Sequence, residues 1–219
     1  MSSEAGDHAA RALALLASDG VLLLTDAQLP SAAALCAGAP VRGSWWGHPA
    51  GHLIYAVAGT LEAHPDVTCA PLLSGKVTYV YRTLWPALLG VATAHEAWQF
   101  ARLAPLARLV FDAVTRDGIL ATHDAAELDR YGRKALGQAA REIEAALLAR
   151  GESVHTATGA HAKRLEAWPR WSARVHCASP LPVLQARQTL EARVAALNSA
   201  HHARARLPWQ AHAESGPSA

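Results

Sequence analysis

The segment VTCAPLLSGKVTYVYRTLWPALLGVATA, residues 67–94, carries only Lys76 and Arg82 as charged side chains and is the most hydrophobic part of the chain. Apolar surface of that density has to be enclosed, so other elements must wrap around it. Ser74-Gly75 divides the run. KVTYVYR alternates β-branched and aromatic residues as a half-buried strand does, while LLSGKVTYV reads equally as a helix end followed by extended chain. LWPALLGVATA reads as a buried helix with Pro86 in its first turn, where a missing N–H costs little.

With 219 residues, 51% of them hydrophobic, the chain can build one large domain or two small ones around a real core. It has no run of about eighteen apolar residues, the length a membrane helix needs. The start, MSSEAGDHAARALALLASDG, is acidic ahead of its apolar part and lacks the basic flank of a signal peptide. A soluble, cytoplasmic protein without a membrane partner is expected. Cys36, Cys69 and Cys177 are too widely spaced for a CxxC pair, so neither a disulfide framework nor a cysteine zinc site is indicated. They read as buried small hydrophobes in a reducing compartment.

Net charge is +2, but its distribution is uneven. Residues 1–40 set Glu4, Asp7, Asp19 and Asp26 against Arg11 alone, whereas basic residues outnumber acidic ones between 129 and 174. The basic surface therefore belongs to the second half.

Local signals divide the chain further. A first helix closes at Gly20, VLLL follows as a short buried strand, and a turn or two of helix closes at Gly38. His48–Glu62 has Leu53, Ile54, Val57, Ala58 and Leu61 on one stripe, and His64-Pro65 should stop that helix. After residue 100 the order is a helix with Pro105 near its start that ends near Gly118, then an apolar step at Ile119-Leu120. Next come a short helix capped by Thr122 or Asp124, a longer helix closed by Gly151, and an extended segment turning at Gly159. That is the order of a winged helix-turn-helix.

The expected fold is mainly α with a few short strands, a winged helix-turn-helix unit packed on an α-rich N-terminal lobe. The division is 1–100 for that lobe, 101–176 for the winged helix-like lobe, 177–199 for a C-terminal helix and 200–219 for a disordered tail.

GVLLLTDAQLPSAAALCAG, SWW, LLSGKVTYVYRTLWPALLGVATA and LARLVFDAVTRDGIL followed by REIEAALLARGESVHT together resemble the AlkZ-related group. These are small bacterial relatives of the AlkZ winged-helix DNA glycosylases. The resemblance runs over most of residues 19–175 and rests on the order of short elements. It implies a bacterial winged-helix architecture on the DNA-repair side of biology. AlkZ glycosylases work through a QxQ-type motif, which this sequence lacks.

DNA is the expected partner. Arg133, Lys134, Gln138 and Arg141 fall on the N-terminal half of the third helix, where a recognition helix meets a groove. His155, Thr156, His161, Lys163 and Arg164 follow in the loop region, suited to phosphate contact. A solvated helix face interleaved with Glu142 and Glu144 is the competing reading, and winged units also serve as protein-interaction modules.

The base-excision alternative centres on Trp45, His48 and Lys76. Adjacent rings at Trp45 and Trp46 beside Arg42 can receive an unstacked base, and a desolvated lysine can act as an amine nucleophile. His48 and His52 stand four apart as helical metal ligands do, with His64, Asp66 or Cys69 available as a third. No HExxH or second dense cluster accompanies them, so packing is favoured over metal. No metal and no cofactor are expected. Residues 42–67 read mainly as a structural seam between the two lobes.

Overall fold

The computed structural model describes residues 3–155 and 161–213. The protein is mainly helical with two small three-stranded sheets. Helix α1 (Ser3–Asp19) leads through Gly20 into β1 (Val21–Leu23), and α2 (Ala32–Ala37) is capped by the Ser31 hydroxyl, which accepts from the Ala34 N–H at 3.2 Å. After a 3-10 turn at Trp45–Gly47 comes α3 (Gly51–Ala63), ended at His64 by the following proline.

The hydrophobic run then forms a hairpin of β2 (Val67–Leu73) and β3 (Lys76–Tyr81), so the extended reading prevails over a helix end. Ser74 and Gly75 both take positive φ, 52° and 71°, the tight turn that matches strand twist. The sheet order is β1-β3-β2, all antiparallel. Its residues alternate between two cores, as a two-residue period requires. Leu22, Val67 and Tyr79 face α1 and α3, while Val21, Leu72 and Val80 face α4 (Trp85–Ala92).

Helix α5 (Ala97–Phe100) carries a capping box between Glu96 and Gln99, and α6 (Pro105–Asp117) ends on left-handed Gly118. Then follow β4 (Ile119–Ala121), a 3-10 turn at Ala126–Tyr131, α7 (Gly132–Ala145), β5 (Arg150–His155) and β6 (His161–Glu166). The second sheet has the order β4-β6-β5 and packs with α6 and α7 around Val110, Leu136, Ile143 and Leu165. Helices α8 (Trp168–Arg174), α9 (Val183–His201) and α10 (Pro208–Ala213) complete the chain.

Several expectations change here. The helix expected after Thr122 is a 3-10 turn whose N-cap is Ala125; the Thr122 hydroxyl instead accepts from the Lys163 N–H at 3.1 Å, so it serves the sheet. The long third helix stops at Ala145. Gly151, expected as its cap, lies in β5 opposite Leu165, where any Cβ would collide with the Glu144 carboxylate. Residues 42–67 contribute less to the join than expected: α3 packs chiefly on α1, α2 and β2, and only its last turn borders the second half. The seam is formed instead by β2 against α7 and β5.

Residues 200–213 are not a loose tail. Leu207 and Trp209 are buried in the same core as α4, and the Ser74 N–H donates to the Arg206 carbonyl at 2.8 Å. The Trp209 indole donates to Glu191 at 2.6 Å, and the Arg187 guanidinium lies 5.5 Å from the centre of its ring. Two apolar side chains reaching an open side of the core outweigh the polar composition around them. Residues 214–219 of the expected tail lie outside the described residues. Replacing Trp209 by Ala is expected to lower stability by about 3–5 kcal/mol, read as a shift of the urea midpoint; an unchanged midpoint would make the segment a dispensable tail after all.

Candidate functional site

Where β2 meets α7 and β5, the protein holds a cleft of about 620 Å³. One wall is the last turn of α3 with Glu62 and the hairpin with Pro71 and Val77; the other is the end of α7 and the strands β5 and β6. The walls are tied together by Arg150, whose Nε donates to the Thr68 hydroxyl at 3.1 Å. The same guanidinium reaches Glu152 at 3.4 Å and lies 3.8 Å from the buried Glu166, which also accepts two hydrogen bonds from Arg174 at 2.7 and 3.1 Å. A buried carboxylate held by two guanidiniums in this way is satisfied, and removing either partner would expose its desolvation cost.

The charged groups on the cleft wall are mostly matched. Lys163 Nζ lies 2.9 Å from Glu144 Oε1, and Arg164 lies 2.7 Å from Glu152. Burial pushes the Glu152 carboxyl up, but the hydrogen bonds and charges of Arg164 and Arg150 together hold it below the ordinary range. Glu62 differs. It is open to solvent through the cleft yet makes no hydrogen bond and no ion pair among the described residues. Burial raises its pKa, the Glu152 charge adds to that, and Lys163 and Arg150 offset only part. Beside it, burial pushes the Cys69 thiol up, which favours its protonated form.

The residues expected to meet DNA separate into two sets. Arg133 and Lys134 stand exposed in the first turn of α7 and make no ion pair among the described residues. Gln138 and Arg141, farther along the helix, hold each other: Arg141 donates to Gln138 Oε1 at 2.9 and 3.3 Å, and Gln138 donates to Glu142 at 3.2 Å. Lys163 and Arg164 belong to the ion pairs above. His155 and His161 face one another as the last register pair of β5 and β6, their side chains lying outside the described residues, as does Thr156.

Trp45 and His48 share the 3-10 turn before α3, the His48 N–H donating to the Trp45 carbonyl at 3.1 Å, while Lys76 begins β3. Trp45 stacks on Trp46 at 4.2 Å and 22°, and Trp46 meets Tyr55 at 5.5 Å. Trp45 is half-buried, while Trp46 is 66% and Tyr55 55% exposed, so the pair forms a surface feature at the N-terminal end of α3. The cleft draws on the opposite end of that helix. His48 precedes α3, so it shares no helical face with His52; its Nδ1 accepts from the Ala50 N–H at 3.1 Å. Among the described residues no group of three or more His, Cys, Asp or Glu is arranged to hold a metal ion. Lys76 donates to Asp26 at 2.7 Å, so its head group is engaged in an ion pair at the start of β3.

Sequence reasoning missed Glu62, Arg150, Glu144 and Glu152 as wall residues. The one local sign was Gly151 between Arg150 and Glu152, which reads as a helix cap until its strand partner is known. No family model, curated protein or solved structure matches this chain. No helix among the described residues is long and apolar enough to cross a membrane.

A carboxyl whose folded-state pKa is raised favours the fold while protonated, and that contribution is lost as pH rises through the folded value. Glu62→Gln is therefore expected to leave the melting temperature unchanged in acid below the ordinary carboxylate range and to raise it at neutral pH. Melts across a pH series check this; a variant less stable at neutral pH would show that the Glu62 charge is stabilising.

Proposed function

We propose that this chain is a bacterial cytoplasmic DNA-binding protein of the AlkZ-related group, acting in DNA repair, with residues 105–166 as its winged helix-turn-helix. The reading is carried by one observation. The order α6, β4, 3-10 turn, α7, β5, β6 closes a sheet β4-β6-β5 and leaves the first turn of α7 exposed, with Arg133 and Lys134 in no ion pair among the described residues. In that arrangement α7 is the recognition helix and β5 and β6 are the strands of the wing. Phosphate contacts from the two cations would supply most of the affinity, because neutralising the backbone releases condensed counterions.

The first turn carries more of this reading than the rest of the expected set. Gln138 and Arg141 are already bonded to each other, and Lys163 and Arg164 already face carboxylates. Those pairings favour a second reading, a protein-interaction module whose basic residues are structural. Base excision draws little support from Trp45, His48 and Lys76: Trp45 and His48 share one surface turn, but the Lys76 ammonium is engaged with Asp26.

Fluorescence anisotropy on a labelled duplex across a salt series separates the two. The double variant Arg133→Glu, Lys134→Glu is expected to weaken binding on every sequence tested and to flatten the slope of log K against log salt by about two. Unchanged affinity and slope would remove the first turn of α7 from the interface. Absence of duplex binding by the wild type at low salt would favour the protein-interaction reading.

A further inference from the structure

The cleft between the hairpin and α7 has a charge pattern that selects an occupant. Arg150 and Lys163 on its wall already face Glu152, Glu166 and Glu144, so an anion entering the cleft would compete with formed ion pairs. Arg141 is held on the Gln138 amide. Glu62 alone among the wall carboxylates has no hydrogen bond or ion pair among the described residues, so a cation can meet it without breaking a contact. Beneath it the surface is apolar: Pro71 and Val77 line the same wall, and Val77 is 43% exposed although it stands in a strand.

We propose that this cleft is a binding site for a small, flat organic cation, its amidine, guanidine or ring-ammonium head on the Glu62 carboxylate and its apolar body against Pro71 and Val77. Planar cations of this kind pair with a carboxylate through two parallel N–H bonds, which adds orientation to charge. The site is preformed, because the Arg150–Thr68 bond ties its two walls together and the Lys163–Glu144 pair braces the wall built by α7 and β6. The groups that face Glu62 are Cys69 from β2, Tyr79 from β3, and Glu152, Arg150 and Lys163 from β5 and β6; Glu152 raises its pKa and the basic members lower it. The site does not depend on α7 meeting nucleic acid. An occupant would nevertheless touch α7 through Ala145 and so bear on that helix.

The test is a fluorescence titration of the full chain with p-aminobenzamidine, alongside the neutral p-aminobenzamide and the anionic p-aminobenzoate. The amidine is expected to bind about tenfold tighter than the amide or more, the range of a hydrogen bond to a charged group. Its affinity should rise with pH as Glu62 ionises. Glu62→Gln should bring the amidine down to the amide and abolish that pH dependence, with an unchanged circular dichroism spectrum. Ala145→Trp, which fills the cleft from α7, should abolish binding of all three probes while leaving Glu62 in place. Equal binding of the three probes, preference for the benzoate, an amidine affinity untouched by Glu62→Gln, or no binding of any probe would each overturn the proposal.

Discussion

Helix α4 has no face it can show to water. Trp85, Ala87, Leu88, Leu89, Gly90, Val91 and Ala92 are all buried, so the helix must be covered on every side. The sheet covers one side through Val21, Leu72 and Val80. Helix α9 covers another, and it comes close because position 90 is a glycine; a Cβ there would stand 2.8 Å from the Ala186 methyl and collide with the Leu181 carbonyl. Trp168 and Trp171 of α8 close the third, and Leu207 and Trp209 return from the end of the chain to finish the enclosure. Each fully buried leucine in such a setting is worth about 1.5–3 kcal/mol, which explains why so many elements distant in sequence converge on one helix.

That enclosure also sets the position of the second sheet. The Trp168 indole donates to the Leu147 carbonyl at 2.8 Å, just after the end of α7, and α8 follows directly on β6. Covering α4 with Trp168 therefore draws α7 and the second sheet against the first one. The strands that meet there, β2 and β5, are each the edge of their own sheet. They do not join into one ladder. Pro71 on β2 has no N–H to offer, and charged residues stand along β5, the usual devices that keep exposed edges from pairing. A cleft remains where a continuous sheet would otherwise run. On this account one helix has two separate surroundings: a solvated first turn, on which the DNA-binding proposal rests, and a last turn that walls the cleft.

Much of the local structure was legible. Pro65 after α3, Pro86 and Pro105 in the first turns of α4 and α6, and glycines 20, 38 and 118 in left-handed geometry end or start elements where the sequence places them. The alternation in KVTYVY marked a strand whose two faces enter two different cores. The misreadings came where a residue type has more than one use. Gly151 reads as a cap because helices often end on glycine, but in β5 it admits the Glu144 carboxylate. His48 was grouped with His52 by spacing, although the chain makes a 3-10 turn before the helix begins. The last residues looked polar enough to be loose, yet Leu207 and Trp209 fill a gap in the α4 core.

The sequence by itself determined which segments are helical or extended, which of them are too apolar to remain exposed, and where positive charge accumulates. These follow from propensities and periodicities that act over a few residues. Only the tertiary structure decided what the charges do. Arg150 finds Thr68 across 82 positions, Lys163 finds Glu144 across 19, and Glu62 finds no partner among the described residues. No local pattern encodes those outcomes, because each depends on which faces are brought together when the apolar run from Val67 to Ala92 is enclosed. The cleft, and the Glu62 carboxylate it leaves without a partner among the described residues, are products of that closure, set by burial acting over the whole chain.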